Sequence, residues 1–179
     1  MRTFRTLLLA ALACFATSAA HAQQFSVAIF SKTAGWHHES INEGVTALRA
    51  LGKQHHFEVF WTEDPKRIFT EEMISKHAVV VFLNTTGDAL NDEQQAVFER
   101  FIRSGRGYVG VHSAADTEYK WPWYTNMLGH MFVRHPEIQT AMVNVEKRDF
   151  PGMDRFPSRF LTTEEWYEFD ASRSPGFRA

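Results

Sequence analysis

Four short apolar segments without polar alternation constrain the fold of this chain more than any other feature. They lie at 25–31, 57–62, 77–83 and 108–111. Segments in which apolar residues recur at helical spacing separate them, the longest being 40–54 and 91–103. Strands that lack a polar face and alternate with helices are typical of a parallel sheet covered on both sides. The sequence therefore predicts an α/β fold, a flavodoxin-like three-layer sandwich with a mostly parallel sheet.

Polar loops follow three of the predicted strands. They lie at 35–40, 84–88 and 111–116, and they carry histidine, aspartate, asparagine and hydroxyl side chains. The carboxyl ends of parallel strands share one edge of a sheet, and ligands bind there. The stretch 107–136 adds further histidines and several aromatic residues. The chemistry of this chain is therefore expected at that edge.

The first 22 residues have the features of a cleavable signal peptide. Two arginines precede an apolar run at 7–16, and Ala20-His21-Ala22 has the small-x-small pattern of a cleavage site. The run is too short for a permanent membrane anchor. We expect cleavage after Ala22 and a periplasmic or secreted protein. A lipid anchor on Cys14 is the less favoured alternative, because Ala11 stands where a large aliphatic residue is expected.

Charge and cysteine content exclude several classes of function. The 19 basic and 21 acidic side chains give a formal net charge of −2, and loss of the signal peptide removes two arginines. No basic face indicates nucleic acid or an anionic membrane as a partner. The single cysteine lies within the signal peptide. The mature chain therefore has no disulfide, no thiolate ligand and no thiol nucleophile.

Four motifs, in order, resemble those of the trehalose-utilisation (ThuA-like) family. They are G-W-H-H-E-S-I at 35–41, N-T-T-G-D at 84–88, G-x-G-Y-V-G-V-H-S-A-A-D at 105–116 and L-G-H-x-F-x-x-H-P at 128–136. The resemblance spans residues 25–169. It implies a class I glutamine amidotransferase-like fold, a ThuA-like domain over 23–179 and a role in carbohydrate metabolism. Family members usually continue further, so the resemblance implies that a C-terminal portion of the domain is missing from this sequence.

The resemblance also marks where the amidotransferase chemistry has been lost. Class I amidotransferases carry a nucleophilic cysteine after a strand of this kind, and His112 occupies the matching position. Glutaminase and thiol-protease activities are therefore excluded. Ser113 is a poor nucleophile candidate, because Val111 and Ala115 stand where a nucleophile elbow needs glycine.

Histidine is better interpreted here as a metal ligand or proton carrier. We expect His38, His112 and His135 to hold a divalent transition metal, with zinc favoured, and His112 and Asp116 to act in catalysis. A carboxylate such as Asp116 or Glu39 would complete the ligand set. The alternative is a solvated turn at His37 and His38 and a surface loop at His135. His55, His56 and His77 are assigned to the opposite edge, with structural or solvated roles.

Aromatic side chains near this edge offer surfaces that pack on sugar rings. The expected substrate-binding residues are Trp36, Ser113, Tyr119 and Trp121, and core packing is the alternative for the aromatic ones. Pro122 between two tryptophans favours an exposed loop. Further on, T-x-E-E-W-Y at 162–167 also resembles the family, so Glu164 or Glu165 is expected near the site as a ligand or beside one.

These observations predict a protein of trehalose or related disaccharide metabolism that assists sugar processing with a metal. The expected partner is a small carbohydrate, with no nucleic acid and no membrane. Two alternatives stay open. One is a non-catalytic sugar-binding or interaction module on an amidotransferase-like fold, and the other is an inactive fragment.

Overall fold

The computed structural model describes residues 23–170, so the predicted signal peptide and the segment 171–179 lie outside the described part. The strands are β1 Ser26–Phe30, β2 Glu58–Thr62, β3 Val79–Phe82, β4 Gly107–Gly110, β5 Phe132–Arg134, β6 Gln139–Asn144, β7 Arg159–Glu164 and β8 Glu168–Phe169. The α-helices are α1 Ile41–His55, α2 Glu71–Ile74, α3 Asp92–Arg103 and α4 Pro122–Leu128. Short 3-10 turns lie at Pro65–Arg67, Ala114–Asp116 and Met153–Arg155. None of the helices in the described range is long and apolar enough to cross a membrane.

The central sheet is parallel, with strand order β2-β1-β3-β4. The chain moves from β1 outward to β2 and then crosses back to β3, so strand order reverses between β1 and β3. Ligands bind at such a switch point in doubly wound sheets, beyond the carboxyl ends of the strands. The loops after β1 and β3 start from this place, as the sequence predicted.

Both faces of the sheet are covered, which confirms the predicted three-layer sandwich. One face packs against α1 through the cluster Val27, Ile29, Val81, Leu83, Ile41 and Val45. The other face packs against α2, α3 and α4 through a largely aromatic cluster that includes Phe30, Phe69, Phe82, Phe98 and Tyr124. Alternate residues of β3 therefore enter different cores, because side chains of a strand point to opposite faces. This explains why β3 is apolar throughout.

The segment around Pro122 differs from the expectation of an exposed loop. Pro122 is the first residue of α4, where a missing backbone N–H costs nothing. Trp121, directly before it, is only 9% exposed and packs against Phe98, Trp123 and Tyr124. Proline between tryptophans therefore marks the start of a helix that packs one face into the core.

The C-terminal third of the described chain leaves the parallel sheet. β6 and β7 form an antiparallel hairpin with Met142 opposite Leu161, and β5 pairs with β8 in a second two-stranded sheet. The segment 165–167 connects β7 to β8. The two antiparallel pairs therefore fix both ends of this connection, which lies against the carboxyl edge of the central sheet.

Gly52 gives a test of the packing between α1 and β2. A Cβ at Gly52 would lie 2.7 Å from the Phe57 carbonyl oxygen, which is a backbone atom and cannot move freely. Alanine in a helix interior normally stabilises by roughly 0.8–1 kcal/mol over glycine. Here we expect Gly52→Ala to lower the free energy of unfolding by about 1–3 kcal/mol, measured by urea denaturation.

Gly44, in the same helix, provides the matched control for this substitution. The three atoms nearest to its Cβ all belong to the Leu83 side chain, with Cδ1 at 2.9 Å, and a side chain can shift more readily than a backbone carbonyl. Gly44→Ala should therefore cost less than Gly52→Ala. Unchanged or increased stability of Gly52→Ala would contradict the packing described here.

Candidate functional site

Backbone hydrogen bonds join the three polar loops at the carboxyl edge of the central sheet. Ala34 N–H donates to the Thr86 carbonyl (2.8 Å), Asn84 N–H to the His112 carbonyl (3.0 Å) and Gly87 N–H to the Asp116 carbonyl (2.8 Å). Thr85 and Thr86 are fully buried between the outer loops. The sequence predicted that these loops converge. Because they do, His38 and His112, which are 74 positions apart, come into direct contact.

His38 and His112 form the centre of the site. Their Nε2 atoms lie 3.0 Å apart and their rings meet edge to face, with centroids 4.7 Å apart. Glu165 Oε2 lies 3.4 Å from His112 Nε2. One donor atom from each of these three residues lies within 4.8 Å of the other two. Among the described residues, this is the one group of three or more histidine, cysteine or acidic side chains close enough to share a metal ion.

Two of the three donor spacings are close to those of a zinc site, and the third pair, His38 and Glu165, lies within 4.8 Å. In a tetrahedral site with bonds of about 2.0–2.1 Å, neighbouring ligand atoms lie roughly 3.3–3.4 Å apart. The distances of 3.0 Å and 3.4 Å from His112 Nε2 are close to this value. Two imidazoles and one carboxylate form a ligand set that leaves a position open, as in catalytic zinc sites.

The surroundings of His112 Nε2 also favour a cation. His38 Nε2, Glu165 Oε2 and the Tyr167 hydroxyl, at 3.0 Å, all approach this one nitrogen. A neutral imidazole nitrogen either donates one proton or accepts one, so hydrogen bonding cannot satisfy three such neighbours. Burial lowers the pKa of His38, and the nearby His112 lowers it further, which favours the neutral imidazole that can act as a ligand.

His135, the third predicted ligand, lies beside this cluster and does not belong to it. Its Nε2 is 3.8 Å from Glu165 Oε2, and its ring stacks on Tyr167 with centroids 6.0 Å apart. Its Nδ1 lies 2.8 Å from the Pro136 carbonyl, which can only accept, so Nδ1 acts as a donor there. Glu165 thus takes the place that the sequence assigned to His135.

Asp116 contacts the hydroxyl of Tyr119 near the site. Its Oδ1 accepts from the Tyr119 hydroxyl at 2.6 Å, and the same hydroxyl lies 2.9 Å from the Phe132 carbonyl. Burial raises the pKa of Tyr119, and the hydrogen bond to Asp116 raises it further, so Tyr119 stays protonated. The half-buried Asp116 therefore anchors β5 to the loop after β4 and contributes negative charge near His38.

The four predicted substrate-binding residues differ in their exposure to solvent. Ser113 is 1% exposed and donates to the Thr85 carbonyl, and Trp121 lies in the aromatic core, so neither is available to a ligand. Trp36 is 73% exposed, and its carbonyl accepts from Thr86 Oγ1. Tyr119 is 42% exposed. Of the four, only Trp36 and Tyr119 offer a surface to solvent.

Two cavities flank His112 in the described structure. The larger, about 880 Å³, lies between α1 and the β6–β7 hairpin, and His38, His112 and Glu165 all line it. The smaller, about 360 Å³, lies on the other side and is lined by His112, Glu165 and Tyr167. The three donors are therefore open to a ligand rather than enclosed in the core.

Tyr167 is a site residue that the sequence analysis did not select. Burial raises its pKa, and the charges of Glu165 and Asp116 raise it further, so its hydroxyl stays protonated and is a donor at neutral pH. The T-x-E-E-W-Y motif predicts that its glutamates lie near the site, but it gives no reason to select Tyr167. Glu165 confirms that the segment reaches the site.

Glu118 is a second residue that the sequence analysis missed. It is 2% exposed, and its carboxylate accepts from the Ala89 and Leu90 backbone N–H groups and from Gln95 Nε2 at 2.6–2.7 Å. It therefore ties the loop after β4 to the start of α3. No local pattern distinguishes such a buried acid from a solvated one.

Solved structures share this fold. A ThuA-like protein from Bacteroides uniformis is 25% identical with a TM-score of 0.70, over 88% of this chain and 66% of its own. A ThuA-like protein from Parabacteroides merdae is 15% identical with a TM-score of 0.65, over 80% and 62%. A glutamine amidotransferase from Thermotoga maritima is 15% identical with a TM-score of 0.50, over 83% and 64%. The chain thus spans less than two thirds of each neighbour's length.

Sequence comparison identifies the family. A search of curated proteins found no match. The family model for ThuA, described as trehalose utilisation, matches residues 26–177 of the 179 in the sequence. This range includes the whole central sheet, both antiparallel pairs and every residue of the candidate site. The chain therefore belongs to the ThuA family of trehalose utilisation.

Proposed function

We propose that this protein is a metal-assisted sugar-processing enzyme that acts on trehalose or a related disaccharide. One observation carries the proposal: His38, His112 and Glu165 bring three donor atoms within 4.8 Å of one another at the edge of the sheet where ligands bind. Membership in a family of trehalose utilisation supports a carbohydrate as the substrate. Zinc is the proposed ion, because imidazole and carboxylate ligands suit it.

The ligand roles divide among these three residues. His38 and His112 supply neutral imidazole nitrogens, and Glu165 supplies one charged oxygen. Zinc bound there would polarise a sugar hydroxyl or carbonyl as a Lewis acid. The Tyr167 hydroxyl, 3.0 Å from His112 Nε2, would donate a hydrogen bond to the sugar oxygen that the ion polarises.

Proton movement is assigned to His135 in this proposal. Its Nε2 lies 3.8 Å from Glu165 Oε2, at the margin of the site. Asp116 acts beside it by holding Tyr119 and by contributing negative charge. The same proposal places the protein in the periplasm or outside the cell, because residues 1–22 have the pattern of a signal peptide.

A non-catalytic sugar-binding module is the second candidate, and the loss of the nucleophile favours it. The sole cysteine of the sequence is Cys14, and histidine occupies the position after β4. A domain that had lost its reactive group and kept its cleft would still bind sugar. Binding alone therefore does not separate the two candidates, whereas metal-dependent product formation does.

The proposal is tested by incubating the zinc-loaded protein with trehalose and with a keto derivative of trehalose oxidised on one ring. We expect a product detectable by NMR, loss of its formation after chelation, and recovery when zinc is restored. His37→Ala should retain turnover, because His37 Nδ1 contacts Thr33 Oγ1 and does not belong to the donor cluster. Sugar binding without product and without metal dependence would overturn the proposal in favour of the binding module.

A further inference from the structure

The larger cavity beside the donor cluster has features that the proposed chemistry does not use. Its volume of about 880 Å³ lies within the range of roughly 300–1,000 Å³ typical of small-molecule sites. A single sugar ring at the three donors would fill only part of this volume. The lining also includes residues of α1 and residues at the open ends of the β6–β7 hairpin.

Apolar side chains form one part of the lining of this cavity. Leu83 and Val111 continue β3 and β4 beyond their last residues, and Ile138 precedes β6. Val111 and Ile138 are 37% and 61% exposed, so this surface is open to a ligand. Carboxylates lie in the same lining, at Glu43 of α1 and Glu164 of β7. A sugar has the matching chemistry, with apolar C–H faces and hydroxyl groups at its rim.

Trp166 gives this cavity an aromatic wall. Its indole is half-buried, and its Nε1 donates to the Gln139 carbonyl at 2.8 Å, which fixes the orientation of the ring against the hairpin. Glu165, the carboxylate of the donor cluster, is the preceding residue. The oriented ring of Trp166 is therefore adjacent in sequence to a proposed metal ligand and lines the same cavity.

We propose that this cavity is a subsite for the second ring of a disaccharide, with Trp166 as the aromatic surface on which that ring stacks. This inference rests on the proposed function, because the first ring is placed at His38, His112 and Glu165. Glu43 and Glu164 accept hydrogen bonds from hydroxyl groups of the second ring. The subsite makes the protein select disaccharides over monosaccharides, since a single glucose cannot reach both ends.

The test compares trehalose and glucose binding by calorimetry, with and without zinc. The zinc-loaded protein should bind trehalose at least tenfold more tightly than glucose. Trp166→Ala should weaken trehalose binding about tenfold, whereas Trp166→Phe, which keeps an aromatic ring, should weaken it less than threefold. Phe150→Ala is the matched control, since Phe150 is an aromatic residue in the connection between β6 and β7 that is 62% exposed and lies outside this cavity. It should leave trehalose affinity unchanged.

The outcomes separate this inference from the proposed function. Equal affinities for trehalose and glucose, or a Trp166→Ala variant that binds trehalose normally, would overturn the subsite even if zinc binds. A preference for trehalose that depends on Trp166 in a protein without stoichiometric zinc would support the subsite and overturn the metal chemistry. Circular dichroism of each variant shows whether a loss of binding reflects loss of the fold.

Discussion

Replacing His112 with alanine is expected to abolish stoichiometric zinc binding and to lower zinc affinity at least 100-fold. His112 Nε2 is the atom that the other donors surround, with His38 Nε2 at 3.0 Å and Glu165 Oε2 at 3.4 Å. Loss of a hydrogen-bond partner of a metal ligand typically costs about 10–100-fold in affinity, so loss of the central ligand should exceed that. Elemental analysis and competition with a chelator of known affinity provide the measurement.

Two other histidines are the controls for this prediction. His37 is adjacent to His38 in sequence, and its Nδ1 lies 3.2 Å from Thr33 Oγ1. His37→Ala should therefore bind zinc normally. His135→Ala should cost no more than about tenfold, because His135 lies beside the proposed ligand Glu165 and outside the proposed ligand set. Normal zinc binding by His112→Ala, or equal losses in all three variants, would contradict the assigned site.

Replacing Glu118 with alanine is expected to lower the free energy of unfolding by about 3–5 kcal/mol. The carboxylate accepts three hydrogen bonds, two of them from the backbone N–H groups of Ala89 and Leu90. Alanine would leave both buried amides without an acceptor, and an unpaired buried donor costs its full desolvation. Urea denaturation followed by circular dichroism measures the change.

Glu118→Gln and Glu99→Ala are the matched comparisons for that measurement. Glutamine keeps a carbonyl oxygen that can accept from Ala89 and Leu90, so it should destabilise less than alanine. Glu99 forms an exposed ion pair with Arg103 at 2.7 Å, and its loss should cost less than about 0.5 kcal/mol. A Glu118→Ala variant as stable as Glu99→Ala would show that the buried carboxylate does not hold the loop.

The same carboxylate makes stability depend on pH in a defined direction. Burial raises the pKa of Glu118 above its ordinary value of 4.5, although the bonds from Leu90, Gln95 and Ala89 lower it in part. A group whose pKa is higher in the folded state stabilises the fold below its unfolded pKa, and this contribution is lost as pH rises through the folded pKa. The stability of the natural chain relative to Glu118→Gln should therefore fall as pH rises above 4.5.

The order of strands and loops was predictable because it follows from local patterns. Uniformly apolar strands separated by helices require a parallel sheet, and a parallel sheet brings the carboxyl ends of its strands to one edge. His38 and His112 come next to each other for this reason alone. The absence of a cysteine after β4 was also visible, since His112 follows that strand and the only cysteine of the sequence lies at position 14.

The aromatic residues were harder to place, because tryptophan is found both in cores and on binding surfaces. Trp121 follows the loop after β4 and was expected to meet the substrate, yet it packs into the core at the start of α4. Trp166 lies 45 positions further on and lines the cavity. Only the contacts of each ring decide between these roles.

The sequence by itself determined the parallel sheet, its reactive edge and two of the three donor atoms, because strand alternation and strand ends are local properties of the chain. The tertiary structure decided which of Glu164 and Glu165 supplies the third donor and which aromatic ring lines the cavity. Glu165 and Trp166 belong to a connection that β5, β6, β7 and β8 hold over the edge through pairing between distant segments. Such pairing depends on which surfaces fit after the sheet has formed, and no spacing along the chain encodes it.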